Sequence, residues 1–190
     1  MLEYSLTLCM SCQRNIIKKA LNKTESVIAL GSNKPSEYGE PTELVERALE
    51  KLGHISESNM EVSSFFWTRA EGLEPGAAKF LNAVAIITLN DCWSPIGLLR
   101  TLKQIELELG RHKDYGPKII VNAYYQPRPI DLDIITYGSA QIDIPGLVIP
   151  HERAWKRLFV LEPLAELRPK MTFPGSAKTV SELKQALLSC

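Results

Sequence analysis

The chain has 190 residues, 45% of them hydrophobic, and carries 22 Lys and Arg against 22 Asp and Glu. That length suits one sizeable core, and the balanced charge excludes a broad basic field, so a generic nucleic-acid binder is not expected. No run approaches the roughly 18 apolar residues of a membrane helix, and no signal-peptide pattern with a clear cleavage site opens the sequence. The expected address is therefore the cytoplasm, with no membrane partner. Cys9, Cys12, Cys92 and Cys190 are too unevenly spread for a disulfide framework. Cys9 and Cys12 form a C-x-x-C with no second pair or histidines to complete a zinc site.

Residues 1–25 read as an extension. Arg14, Lys18, Lys19 and Lys23 with Ile16, Ile17 and Leu21 suggest a docked or frayed helix, an organelle-targeting segment being the weaker alternative. A single domain is expected over 26–190. Val27 to Leu30 is a short apolar strand ended by Gly31-Ser32-Asn33. Pro41 and Thr42 start a helix whose Leu44, Val45, Ala48, Leu49 and Leu52 share a face, with Gly53 closing it. Val62 to Trp67 and Ala83 to Leu89 are rich in β-branched and aromatic residues and read as strands, joined by a loop with Gly72, Pro75 and Gly76. Ser94 then Pro95 begins a second helix, with Leu98, Leu102, Ile105 and Leu109 at four-three-four spacing before Gly110.

Between Gly110 and the next strand, Ile130 to Tyr137, the only apolar patch is Ile119-Ile120-Val121, so this long connection is expected to be a working or disordered loop. Pro163-Leu164 and Leu167-Arg168-Pro169 look like the exit from a short helix, and Thr179-Val180-Ser181-Glu182 has capping-box spacing for a last one. Short links separate strands as often as helices do. The pattern predicts an α+β fold, mainly antiparallel sheet with helices packed against it.

In Ile130-Asp131-Leu132-Asp133-Ile134, apolar and acidic residues alternate with the period of a strand, which puts Asp131 and Asp133 on one face. Carboxylates roughly 6.5 to 7 Å apart along a strand suit hard cations, and magnesium is the natural occupant. They could also decorate a solvent-facing strand, although aspartate is depleted there, and a bare D-x-D is shared with glycosyltransferases and nucleotidyltransferases. Glu106 lies beside the apolar stripe of its helix, one turn before Gly110-Arg111, either as a site residue or as a flanking salt-bridge partner. Arg111, Lys113, Lys118 and Arg128 border or occupy the long loop, where guanidinium forks could bind phosphate oxygens or simply be solvated. His151 after Pro150, with Arg153, Lys156, Arg157 and Phe159 beyond it, makes a further basic cluster.

In order, the sequence thus presents Ala29-Leu30-Gly31-Ser32-Asn33, Val62-Ser63-Ser64, Phe80-Leu81-Asn82-Ala83-Val84 and Ile105-Glu106 with Gly110-Arg111. Pro127-Arg128-Pro129-Ile130-Asp131-Leu132-Asp133, Pro150-His151 and Arg157-Leu158-Phe159-Val160-Leu161 follow. Together, from about Val27 to about Pro174, these resemble the hydroxymethyldihydropterin pyrophosphokinases. The resemblance implies an α+β fold with a ferredoxin-like core and transfer of pyrophosphate from ATP to the hydroxymethyl group of 6-hydroxymethyl-7,8-dihydropterin, with AMP as second product. By position, Asp131 and Asp133 would hold two Mg2+ ions, and Arg111 and Arg128 would act on the phosphates or in loop closure. Glu106, His151 and Arg157 would serve the nucleotide site, with Ile134 against adenine. Thr68, Phe80, Asn82 and Phe159 would hold the pterin.

Three departures stand out. Tyr124-Tyr125-Gln126-Pro127-Arg128 replaces the family's tryptophan with Gly-Pro-Arg, while Tyr115-Gly116-Pro117-Lys118 upstream looks like a second version of it. Arg69-Ala70-Glu71 follows Thr68 where the family commonly has proline, and Glu152 follows His151. The segment from His112 to Pro127 is expected to be a lid. A monomer or weak dimer is expected. The competing readings are another two-metal nucleotidyl or phosphoryl transferase and a non-catalytic nucleotide-binding homologue.

Overall fold

A computed structural model describes residues 23–69, 76, 78–112, 120–121 and 124–189. Its central strand, β1 (Lys23–Ser32), is longer than its apolar run, because Lys23 to Ser26 also pair with the next strand. β1 lies between β4 (Phe80–Asn90) and β7 (Asp131–Tyr137), antiparallel to both. β2 (Glu61–Val62) and β3 (Phe66–Thr68) pair with the far side of β4, which leaves β7 at the other edge of the sheet.

Both faces of the sheet are covered. On one, Ile28, Leu30, Ala83, Ala85, Ile87, Leu132 and Ile134 meet Leu44, Val45, Ala48 and Leu52 of α1 (Pro41–Ile55) and Leu98, Leu102 and Ile105 of α2 (Pro95–Glu108). On the other, Val27, Val84, Ile86 and Ile135 meet Val160, Leu161 and Leu164 of α3 (Leu158–Leu167), with Phe173 and with Val180 of α4 (Val180–Leu188). A strand buried on both faces needs apolar residues at successive positions, which is why β1 and β4 read as continuous runs. The result is the expected α+β fold with a ferredoxin-like core.

Local signals set the helix starts. Ser94 Oγ accepts from Gly97 N at 3.0 Å ahead of Pro95, and Thr179 with Glu182 closes the capping box expected for α4. Gly53 does not close α1, which continues to Ile55 and ends on Ser56. Pro163 lies inside α3, whose exit is at Arg168, just before Pro169.

The run Val62 to Trp67 is two strands, not one. The Ser63 hydroxyl accepts from Val84 N at 3.0 Å, and the backbone N–H and hydroxyl of Ser64 turn away to Glu166 on α3. Two small hairpins lie off the main sheet: β5 (Ile120–Val121) with β6 (Tyr124–Tyr125), and β8 (Ile142–Ile144) with β9 (Leu147–Ile149). The first places part of the expected apolar patch in a strand pair. Residues 113–119 and 122–123 of the expected lid, the Gly72–Pro75 loop, and the N-terminal residues with Cys9 and Cys12 lie outside the described residues.

Candidate active site

The register of β1 with its two neighbours carries the site. Gly31 pairs with Asn82 on one side and Asp131 on the other, and Ala29 pairs with Val84 and Asp133. Directly opposed residues of antiparallel strands project from the same face, so Asn82, Asp131 and Asp133 emerge together on the α3 side. Leu132 is fully buried and Ile134 is 4% exposed in the opposite layer, which holds this register against slippage. The alternation read from sequence is therefore present, and both aspartates are half-buried. Ile134 buries its side chain in the first core, so a ligand at this strand would meet its backbone.

Gly31 has a steric reason to lack a side chain. A Cβ there would stand 3.3 Å from Asn82 Oδ1 and 3.5 Å from Phe80 Cδ1, so the bare backbone lets both groups lie over the strand. Asn82, 5% exposed, donates through Nδ2 to Thr68 Oγ1 at 2.9 Å and to Phe80 O at 3.3 Å. Its Oδ1 accepts from no described residue. Thr68, Phe80 and Asn82, singled out from the sequence, thus form one bonded group.

The end of α2 builds the second group. Gly110 adopts φ +91°, with Gly110 N donating to Leu107 O and Arg111 N to Glu106 O. This pair of bonds is a Schellman turn, and it folds the chain back so that Arg111 returns beside Glu106. Arg111 Nη1 lies 2.8 Å from Glu106 Oε1 and 2.5 Å from Asp131 Oδ1, while Arg128 Nη1 donates to Asp131 Oδ2 at 2.8 Å. Each carboxylate oxygen of Asp131 therefore has its own guanidinium. Burial alone would raise the Asp131 pKa, but Arg128 and then Arg111 outweigh it and hold the carboxyl below its usual value. Glu106 goes the other way, since burial pushes its pKa up against the pull of Lys103 and Arg111. Asp133 has no hydrogen bond or ion pair among the described residues.

Two contributors escaped the sequence reading. Asn33 accepts from Arg128 N through Oδ1 at 2.9 Å, donates its own N–H to Arg128 O, and donates Nδ2 to Ala78 O at 3.4 Å. It fastens the Arg128 backbone to the end of β1 and to the entry of β4. Lys103, one turn before Glu106, donates to Glu106 Oε1 at 2.7 Å and to Leu132 O at 3.1 Å. Its signal was a cation three residues ahead of Glu106 beside the apolar stripe.

His151 follows β9. Its N–H donates to Ile135 O at 3.0 Å, which ties it to β7, and its Nδ1 accepts from Arg153 N at 3.2 Å, which leaves the ring proton on Nε2. Arg157 caps α3 and sets its guanidinium 5.2 Å from the Phe159 ring centroid. Lys113 and Lys118 lie outside the described residues.

The family model described as 7,8-dihydro-6-hydroxymethylpterin-pyrophosphokinase matches residues 27–169. The chain is 35% identical over 164 residues to a 2-amino-4-hydroxy-6-hydroxymethyldihydropteridine pyrophosphokinase of Pseudomonas aeruginosa, covering 86% of this chain and 90% of that protein. A Synechocystis protein of the same name is 34% identical over 158 residues, covering 83% and 73%. Among solved structures, a Plasmodium falciparum HPPK-DHPS triple mutant with STZ-DHP superposes with a TM-score of 0.66 at 13% identity, covering 88% of this chain but 44% of that one. That likeness speaks for the fold; the matched sequence speaks for descent. The chain belongs to the 7,8-dihydro-6-hydroxymethylpterin-pyrophosphokinase family.

Proposed function

We infer that the protein transfers pyrophosphate from ATP to the hydroxymethyl group of 6-hydroxymethyl-7,8-dihydropterin, giving AMP and the pterin diphosphate in folate biosynthesis. In the reaction the hydroxymethyl oxygen bonds to the β-phosphorus, the bond from that phosphorus to the oxygen of the AMP moiety breaks, and the hydroxyl proton is released. The observation that carries the reading is the row Asn82–Gly31–Asp131, which sets a two-sided amide and a metal-binding type of carboxylate on one sheet face across a single glycine.

Asp131 and Asp133 fit magnesium by their chemistry: hard oxygen donors on one strand face, one of them unpartnered. Among the described residues no group of three or more His, Cys, Asp or Glu gathers, so the protein would supply few ligands and leave the others to phosphate oxygens and water. When bound, two magnesium ions supply positive charge to the transferring phosphoryl oxygens. Arg111 and Arg128 each commit only Nη1 among the described residues, and their remaining donors can take phosphate oxygens in pairs. His151 and Arg157 stand near β7 and the start of α3 as further basic residues on this side of the sheet.

On the other side of Gly31, the Oδ1 of Asn82 is available to the donor edge of the pterin, with its amide oriented by Thr68. Phe80 and Phe159 offer ring faces for stacking. Ile134 would offer the adenine its backbone. We place the protein in the cytoplasm, as a monomer or weak dimer; no helix among the described residues is long and apolar enough to cross a membrane.

The test is to supply ATP, magnesium and hydroxymethyldihydropterin and to identify both products. AMP with pterin diphosphate is expected. ADP, or a nucleotidylated pterin, would replace this reading with another two-metal transferase.

A further inference from the structure

The row Asn82–Gly31–Asp131 does not stop at β4. Phe66 of β3 pairs with Asn82, so adjacent strands carry the order Phe66, Asn82, Gly31, Asp131 across the sheet. Directly opposed residues share a face, which puts Phe66 on the α3 side with the other three. Its neighbours are placed differently. Phe65 packs against the first core and Trp67 is 53% exposed, whereas half-buried Phe66 joins neither core. A large ring left outside the packing has apolar surface to offer a ligand.

Phe66 is held from both sides along its strand. Ser64, two residues earlier, donates its N–H to Glu166 of α3 at 3.1 Å and its hydroxyl at 2.9 Å. Thr68, two residues later, accepts from Asn82 Nδ2 at 2.9 Å. The other end of that amide leans the opposite way: Asn82 Oδ1 lies 3.3 Å from where a Gly31 Cβ would stand, on the path toward Asp131.

Strand spacing turns the row into a ruler. Adjacent strands lie about 4.8 Å apart, so Asp131 to Asn82 spans roughly 10 Å and Phe66 stands one spacing further out. A bicyclic pterin with its one-carbon arm is about as long as the first span. With the hydroxymethyl group toward Asp131, the 2-amino and N3–H donors of the ring reach Asn82 Oδ1, and the next group along the row is the Phe66 ring.

We propose that Phe66 is a specificity-determining residue: its ring ends the row beyond Asn82 and excludes pterins that carry a substituent on the 2-amino group. The proposal deepens the function inferred above and rests on it.

The test compares two ligands on one protein by calorimetry, with magnesium and a non-hydrolysable ATP analogue present: 6-hydroxymethyl-7,8-dihydropterin and its derivative ethylated on the 2-amino group. Wild type should bind the derivative at least about 30-fold more weakly than the parent pterin. Phe66→Ala should bring the two within about threefold of each other, with the parent and the ATP analogue also held within about threefold of their wild-type affinities. Phe66→Leu, which fills most of the same space, should keep most of the discrimination. Trp67→Ala, on the opposite face of the same strand, should keep all of it. Each ratio is read on a single preparation, so unfolded protein cancels and a loss of stability cannot imitate the result. A wild type that binds neither pterin would sink the functional reading and this proposal with it. Binding of the parent with an unchanged gap in Phe66→Ala would overturn this proposal alone. So would a derivative that wild type accepts as readily as the parent, or relief of the gap by Trp67→Ala as well. A collapse of parent affinity in Phe66→Ala would also overturn it, by making Phe66 a contact of the ring itself and not the end of the row.

Discussion

The same face of one sheet does two different jobs at its two ends. At one end Val27, Val84, Ile86 and Ile135 lie under α3 and α4 with Leu161, Leu164 and Phe173. Two rows further along, the same strands present Asn82, Gly31 and Asp131, and no apolar side chain from β1 fills the space over Gly31. Ala29 with Val84 and Asp133 marks the boundary, one neighbour fully buried and the other half-exposed. The difference lies in what the central strand contributes. Valine at the covered end invites packing, and glycine at the other lets Asn82 and Phe80 lie over the strand. On the proposed function, packing and chemistry would lie at opposite ends of a single strand, so substitutions at the two ends should have separable effects.

The largest effect is expected at the two aspartates of β7. Asp131→Asn and Asp133→Asn should each lower turnover by several orders of magnitude, about 4 kcal/mol or more of transition-state stabilisation, with the fold intact. They should differ in the unfolding temperature. Asp133 has no described partner to lose, whereas Asp131→Asn strips two guanidinium groups of their carboxylate. Full activity of either variant at saturating magnesium would break the assignment of the open end to metal chemistry.

The covered end supplies the converse. Leu164→Ala, at a fully buried position, should cost about 3 kcal/mol of stability while activity per folded molecule stays near that of the parent. Denaturant unfolding alongside turnover measures both. A loss of turnover greater than the loss of folded protein would show that the two ends are not separable.

Asn82→Leu sharpens the division within the polar end. A polar pterin edge left without its amide should lose roughly 1 to 3 kcal/mol of binding, with ATP affinity almost unchanged in calorimetry. Equal losses for both ligands would mean that Asn82 shapes the strand and not the pterin site.

How much of this was legible in the sequence depended on the distance between partners. The aspartate alternation, the Ser94 and Thr179 caps and the glycine after α2 act within a few residues, and each was readable. Asn33 meets Arg128 95 positions away, and Ser64 meets Glu166 102 positions away. No local pattern announces such pairs, so Asn33 read as a turn residue and the Ser63–Ser64 break was missed. Lys103 is intermediate. Its bond to Glu106 has ordinary helical spacing, but its bond to Leu132 exists only because α2 lies along the edge of β7. The β8–β9 hairpin was missed although Ile142, Ile144, Leu147 and Ile149 flank a glycine, because strands of three residues give too little alternation to detect.

The smallest expected effect concerns two carboxylates that share Arg111 and are driven in opposite directions. Burial raises the Glu106 pKa above its ordinary value of 4.5, although Lys103 and Arg111 oppose the shift. Burial would raise Asp131 too, but the two arginines bring it below its ordinary value of 3.8. By linkage, a carboxyl with a raised folded pKa stabilises most below its unfolded value, and that contribution is lost as pH rises through the folded pKa. A carboxyl with a lowered folded pKa stabilises above its unfolded value, and the contribution is lost as pH falls through the folded one. Wild type should therefore lose stability relative to Glu106→Gln as pH rises above 4.5, and should gain relative to Asp131→Asn as pH rises toward 3.8 from below. Denaturant melts of the three proteins across the acid range measure both slopes. The glutamine can still accept from the Leu132 amide, so the first comparison isolates charge from hydrogen bonding. Slopes of the same sign for the two variants would mean that Arg111 serves both carboxylates alike, and that the buried and half-exposed sides of the ion-pair network do not differ as the structure has them.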